Sequence, residues 1–363
     1  MTKLQQWLRS AGTPETLKEE FGIKMKHHRY LTNLRLFKYS QIDSPMHEPI
    51  VQESRGIVLD ADNDWEIVGR GFDKFFNHGE PNAHPIDWSS AQVQEKLDGS
   101  LIHVYFYRGV LQVATTGTPD GLNPVGAYDV NFRELFLESA GKAGLVLNNL
   151  QPGLSYLFEL MTPYNRVVVH HDNWKVKFLA ARRHSDGAYV YPTALRDYAV
   201  RTFPFVSIEE VVANANSLRG TEQEGYVVVD KHNNRVKVKG EDYVRLHYFV
   251  SSATPKALLE AVRSGEIDEA IHSFPDLKDE LINTKNKLDD FVRKVEETFA
   301  EIKHLDAGKV YALKAREYSF SHFLFVLKSG KIGSLREYLT KIPIDGLKKH
   351  LSLVSDEKSE DHP

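Results

Sequence analysis

The chain of 363 residues predicts an α+β protein, with an N-terminal domain built on antiparallel sheets with flanking helices and an all-α C-terminal domain. Two textures and the length carry that expectation. From residue 55 to about 250, short β-rich runs alternate with turn residues, the pattern of a largely antiparallel structure. Beyond 250, apolar residues recur at helical spacing instead. The length is enough for about two domains of roughly 100–200 residues each. The expected division is 1–250, then 251–350 for the helical domain, then 351–363 as a polar, disordered tail.

Strands are expected at 56–60, 91–96, 101–107, 110–115, 156–160, 166–169, 177–181, 225–229 and 235–239. Arg108-Gly109 suits a tight hairpin connection, and Lys231-His232-Asn233-Asn234 a polar loop whose Asn residues tolerate left-handed geometry. Residues 132–147 have helical spacing. Thr254-Pro255 offers an N-cap followed by proline at the first helical position. Leu258, Leu259 and Val262 follow at helical intervals, 277–302 continues the pattern, and 318–327 is aromatic enough to be core.

Composition excludes several classes. The 41% hydrophobic, 26% charged and 11% aromatic fractions belong to a globular chain. No run approaches the roughly 20 apolar residues of a bilayer crossing, and the first residues lack a signal-peptide core, so a cytoplasmic protein, cellular or virus-encoded, with no membrane partner is expected. Zero cysteines exclude disulfides, a thiolate nucleophile and Cys-based metal sites. With 46 Lys+Arg against 50 Asp+Glu, net −4, any polyanion must meet a local basic patch.

Lys96-Leu97-Asp98-Gly99-Ser100 holds a lysine at a turn between two strands. Its amine could attack an electrophile once neighbouring cations, desolvation or a metal lower its pKa from about 10.4. Lys-x-Asp-Gly alone equally describes a surface hairpin turn. In Arg235-Val236-Lys237-Val238-Lys239, alternation puts both lysines on one face, about 7 Å apart, suited to a phosphate or to a plain solvent-facing strand. Glu159 and Glu224 stand at or beside apolar strands, as Mg²⁺ ligands shared with phosphates or as strand-end charges. Arg55 opens a strand and Lys74 precedes Phe75-Phe76-Asn77; both could reach a polyphosphate, and Phe75 or Phe76 could simply be core.

In order, these pieces resemble the covalent nucleotidyltransferases, in which Lys-x-Asp-Gly accepts the nucleotide, with a downstream glutamate, a Glu-Gly and a final Lys-x-Lys. Here Glu159, Glu224 and Lys237 follow Lys96 by 63, 128 and 141 residues. Within that superfamily the chain resembles ATP-dependent RNA ligases of the bacteriophage T4 RNA ligase 1 type. Ser54-Arg55-Gly56, Asp73-Lys74-Phe75-Phe76-Asn77, Phe158-Glu159 with Asn165-Arg166-Val167-Val168, and Glu224-Gly225-Tyr226-Val227 carry the likeness, from about 37 to 247. DNA ligases and GTP-using capping enzymes are the enzyme alternatives, and an RNA-binding relic without catalysis is the other. The helical C-terminal third speaks against the first two, because those enzymes follow Lys-x-Lys with an OB-fold.

The resemblance implies a nucleotidyltransferase domain at 1–250. It implies ATP and Mg²⁺, with Mn²⁺ able to substitute, and Lys96 as the AMP-carrying nucleophile. Lys237 and Lys239 are implied on the α-phosphate, Glu159 and Glu224 on the metal or ribose, and Arg55 and Lys74 on the outer phosphates. Asp98 is implied to fix the turn, and backbone around Glu95 to recognise adenine. The implied partner is RNA with 5′-phosphate and 3′-hydroxyl ends, a nicked tRNA among the candidates in a repair role, with a separate end-healing kinase and phosphatase. One departure stands out: Thr116 occupies the place where these ligases usually carry a lysine. Two basic clusters could meet RNA: Lys24, Lys26, His27, His28, Arg29, Arg35 and Lys38 with Tyr30, Phe37 and Tyr39 interleaved, and Lys175, Lys177, Arg182, Arg183 and His184. Each could equally be a solvated face plus core aromatics. Asp268 and Glu269 form an acidic pair in the helical region.

Overall fold

The computed structural model describes residues 1–10, 12–126, 128–247, 255–273, 277–305 and 308–351. The expected boundary at 250, the Thr254 cap and the tail beyond 351 lie outside the described residues. The chain divides into two compact units, Met1–His247 and Tyr248–Pro363.

In the first unit, β1 (Lys24–His27), β2 (Leu34–Lys38), β3 (Arg55–Asp60) and β4 (Glu66–Gly69) form an antiparallel sheet in chain order. Helices α1 (Lys3–Arg9), α2 (Pro14–Phe21) and α3 (Pro49–Glu53) cover one face. Leu4, Leu8, Leu17 and Val51 pack there with Phe37, Ile57 and Leu59. Thr2 and Thr13 cap α1 and α2 by accepting from the backbone three residues on, which satisfies amides that a helix start leaves orphaned.

Next come β5 (Phe76–Asn77), β6 (Gln92–Lys96), β7 (Ser100–Tyr107), β8 (Val110–Thr115), α4 (Phe132–Lys142), β9 (Leu154–Met161), β10 (Lys175–Arg183), β11 (Tyr189–Val190), β12 (Thr202–Phe203), α5 (Ile208–Ser217), β13 (Gly225–Val229), β14 (Arg235–Lys239) and α6 (Glu241–His247). They build two five-stranded sheets, β11-β10-β9-β7-β8 and β12-β6-β13-β14-β5, antiparallel apart from the β14–β5 pair. Arg108 and Gly109 both take positive φ, 50° and 78°, as a two-residue hairpin turn requires. Helix α4 packs Leu135, Phe136 and Ala140 against Val104, Val113 and Phe158 of one sheet. Helix α5 packs Val211 and Ala215 against Val93, Tyr226 and Val228 of the other. Each sheet is therefore sealed on one face, and residues 97–99 carry the chain from one sheet to the other.

Three expectations are corrected. Residues 166–169 are not a strand: the amides of Val168 and Val169 are spent on Asp98 rather than on a ladder. Helix α4 stops at Lys142, short of 147, where Gly144 turns with φ 70°. Strands β1 and β2, in the stretch read above only as a basic cluster, belong to a sheet.

The second unit is helical among its described residues: α7 (Pro255–Ser264), α8 (Ile267–Ser273), α9 (Lys278–Ile302), α10 (Lys309–Ala315), α11 (Ser321–Lys328), α12 (Leu335–Lys341) and α13 (Ile344–His350). Helix α9 buries Leu281, Leu288, Val295 and Ile302, seven residues apart, so one stripe of it faces Leu259, Leu324, Leu335 and Leu347. No described helix is long and apolar enough to cross a membrane.

Candidate active site

Strand register builds the site. Gly225 at the start of β13 pairs with Lys96 at the end of β6 on one side and with Lys239 at the end of β14 on the other. The row therefore reads lysine, glycine, lysine. A side chain at Gly225 would run into the Val238 carbonyl, and its φ of 147° is one that other residues rarely adopt. Glu224, just before it, reaches both ammonium groups: Oε2 lies 2.6 Å from Lys96 Nζ and Oε1 lies 3.5 Å from Lys239 Nζ. Only 6% of the Glu224 side chain meets solvent. One pair further along the same face stand Gln94, Val227 and Lys237, and Val227 is partly exposed.

The turn after Lys96 is held from three directions. Asp98 Oδ2 accepts from the amides of Val168 (2.8 Å) and Val169 (2.6 Å), and Oδ1 accepts from the Tyr243 hydroxyl at 3.1 Å. The Asp98 carbonyl accepts from His171 Nε2–H at 2.7 Å. Gly99 passes so close to the Leu160 carbonyl that a Cβ would collide with it. Asp98 and Gly99 are thereby held at the end of β6, next to Lys96.

Glu159 approaches from the second sheet, on β9. Burial pushes its carboxyl up to about 8, with the Glu224 and Asp98 carboxylates adding to the push and Lys96 and Arg55 resisting it. Such a carboxylate lacks enough positive charge beside it. Among the described residues no three His, Asp or Glu side chains cluster to hold a metal ion by themselves. Two carboxylates around one lysine fit the mode in which Mg²⁺ is shared between protein oxygens and substrate phosphates.

Arg55 and Lys237 converge on one ring: the Arg55 guanidinium lies 5.3 Å and Lys237 Nζ 5.8 Å from the Phe75 centroid. Arg55 Nη1 is buried with no hydrogen-bond partner among the described residues, a donor fit for an anion. Lys74 sits over Tyr39 and Phe76 at 5.6 and 5.4 Å. Phe76 pairs with Val236 and Asn77 with Lys237, so the Lys74 segment is strapped to the strand that carries Lys237 and Lys239. Glu95 sits on β6 opposite Tyr226, and its amide donates to the Arg201 carbonyl. That amide is therefore committed within the sheet.

The basic clusters divide. Phe37 is fully buried in the core and His28 is buried with its ring bonded to Gln112, Tyr30 and Leu31, so neither presents a surface to RNA. Arg182 is buried and clamps Asp73 through two bonds of 2.8 and 2.6 Å, and His184 bonds Ser155. A cavity of about 950 Å³ lined by Arg9, Arg70, Arg183, His184 and Tyr191 includes none of the lysine-site residues. Asp268 and Glu269 lie in the first turn of α8, in the second unit.

Sequence reading missed Tyr243, His171 and His103, and quoted Asn165 only as part of the family likeness. His103 is fully buried on β7 with both ring nitrogens unpartnered among the described residues, and burial, aided by Arg55, holds its imidazole down to about 3. A histidine in the strand run 101–107 was the one available signal.

A family model described as RNA ligase, of the T4 RNA ligase 1 type, matches residues 53–250. The chain belongs to the RNA ligase family. It is 31% identical over 288 residues to a protein of Autographa californica nuclear polyhedrosis virus named as a bifunctional polynucleotide kinase/RNA ligase, covering 74% of this chain and 41% of that one. The chain thus spans less than half the length of that relative. It is 24% identical over 419 residues to an RNA ligase of Rhodothermus phage RM378, covering 93% of each. Among solved structures it is similar to an archaeal ATP-dependent RNA ligase, with 14% identity, TM-score 0.44, and 79% and 78% of the two chains covered.

Proposed function

We propose that the chain joins RNA 5′-phosphate and 3′-hydroxyl ends at the expense of ATP, through AMP carried on Lys96. The observation that carries this reading is the contact of Lys96 Nζ with Glu224 at 2.6 Å, inside a row that ends in Lys239. Lys96 Nζ, after losing a proton, attacks the α-phosphate; an N–P bond forms and the bond to pyrophosphate breaks. The RNA 5′-phosphate oxygen then takes AMP from Lys96, and a 3′-hydroxyl finally displaces AMP to close the phosphodiester. Each step demands in-line positioning and neutralisation of charge more than acid–base chemistry.

Glu224 is the nearest base to Lys96 and orients it. Lys237 and Lys239 stabilise the α-phosphate, and Arg55 with Lys74 hold the outer phosphates. Val227, the partly exposed apolar member of the face, offers a surface for the purine. Glu159 and Glu224 would hold Mg²⁺, with Mn²⁺ able to substitute; the ion supplies neutralisation of phosphate charge and lowers the proton affinity of both carboxylates. In this reading the first unit is the nucleotidyltransferase domain, and a nicked tRNA in RNA repair is a natural substrate. A separate kinase and phosphatase would prepare the ends, as suggested by the kinase in the name of the viral relative.

The test is joining of a 5′-phosphorylated RNA with ATP and Mg²⁺. Circular or joined RNA, with no joining of a DNA of the same sequence, supports the reading; joining of DNA alone, or a need for GTP, contradicts it.

A further inference from the structure

Just beyond β9 the chain makes a short turn, Pro163–Asn165, that is plugged from inside. Asn165 is buried; its Oδ1 accepts from the Thr162 amide and hydroxyl, both at 2.8 Å, and its Nδ2 donates to the Leu160 carbonyl and to Ser100 Oγ at 3.0 Å. With Asn165 facing in, Tyr164 faces out, 39% exposed. Its ring meets Tyr128, 50% exposed, at 4.8 Å and 90°, and Trp174 at 5.5 Å and 77°. Lys142 Nζ lies 3.4 Å from the Trp174 centroid. Neither tyrosine hydroxyl bonds to a described residue.

Two exposed tyrosines touching a half-buried tryptophan, whose face carries Lys142 paired with Glu138 at 2.8 Å, are the components with which proteins stack unpaired bases. Their position singles them out. Ser100 belongs to the Lys96 turn, and the amides of Val168 and Val169, in the loop between Tyr164 and Trp174, hold Asp98. The segment that carries Tyr164 is hydrogen-bonded to the nucleophile's turn, and Tyr128 and Trp174 meet Tyr164 by ring contact, so a nucleotide placed on the rings is placed relative to Lys96.

We infer that Tyr128, Tyr164 and Trp174 form a subsite that stacks unpaired bases of the RNA next to the end being joined. This rests on the RNA ligase reading above. Base stacking on an aromatic ring contributes enough that losing both tyrosines weakens RNA binding about tenfold or more.

The experiment compares wild type with Tyr128→Ala/Tyr164→Ala and with Tyr128→Phe/Tyr164→Trp. For each, lysyl-AMP formation without RNA, the KM for a 5′-phosphorylated oligoadenylate, and anisotropy of the same oligoadenylate and of a blunt RNA duplex are measured. The inference expects unchanged lysyl-AMP formation, about tenfold higher KM and weaker single-strand binding in the alanine variant, near-wild-type values in the aromatic variant, and duplex binding unaltered. Single-strand binding within twofold of wild type in the alanine variant overturns it, and so does an equal loss on duplex, which would mean backbone contact. A wild type that forms no lysyl-AMP refutes the ligase reading instead, while the anisotropy still decides whether the rings hold bases.

Discussion

Asp73 is clamped by an arginine that bonds both of its oxygens, whereas Glu159 at the lysine site has no hydrogen-bonded cation among the described residues. Arg182 uses its guanidinium on both Asp73 oxygens and on the carbonyls of Gly71 and Gly187. Arg70 adds a contact to Asp73 at 3.6 Å, and Arg235 lies over Phe72 and Tyr189 at 4.9 and 4.1 Å. Burial alone would raise the Asp73 carboxyl, yet the bonds and charge of Arg182, with Arg70 and Arg235, hold it below its ordinary value. At the lysine site burial wins instead: Glu159 is pushed up to about 8. A clamped carboxylate pins strands together, whereas a buried carboxyl with a raised pKa is the kind of group that perturbed functional sites carry.

The comparison predicts opposite responses to mutation. Arg182→Ala leaves the half-buried Asp73 carboxylate with Arg70 alone and removes two charge-assisted bonds, which should cost about 2–3 kcal/mol of stability, read as a lower urea midpoint; a loss under about 1 kcal/mol would break the contrast. Glu224→Gln should slow lysyl-AMP formation by about 100-fold, roughly 2.7 kcal/mol of barrier, with the unfolding midpoint close to wild type. An unaltered rate would remove Glu224 from the account.

Glu159→Gln sharpens the electrostatic half. A carboxyl whose folded pKa is raised keeps its proton in the folded state while the unfolded chain releases it. Wild-type stability should therefore fall as pH rises from about 4.5 to about 8, and level off above that. The Gln variant lacks this slope and should be the more stable by on the order of 2 kcal/mol at pH 8–9, less than the full shift because part of the group meets solvent. Parallel pH–stability curves would mean that Glu159 is not perturbed. Tyr243→Phe, which removes one bond to Asp98, should cost about 1 kcal/mol and be the mildest of the set by thermal unfolding.

What was legible in the sequence was what strand spacing can carry. Val236 and Val238 alternate with Lys237 and Lys239 on a strand with the expected limits, and Gly225–Val229 likewise. The family expected from the ordered motifs is the family that matches. Illegible were the contacts that depend on distant segments: Asp98 with the 168–169 amides and Tyr243, Arg182 with Asp73, and the burial of Phe37. Arg182 and Arg183 are adjacent and identical in type, yet β10 sends one into the Asp73 clamp and leaves the other exposed. Composition cannot separate them, because only the strand's facing decides.

The central claim, that Lys96 is the nucleotide-carrying nucleophile, is tested most directly by incubating the protein, stripped of bound AMP, with α-labelled ATP and Mg²⁺ and resolving it on a denaturing gel beside Lys96→Ala. The account predicts a covalent label on the wild type that survives denaturation and is absent from the variant. An equally labelled variant, or a wild type that takes no label, would contradict it.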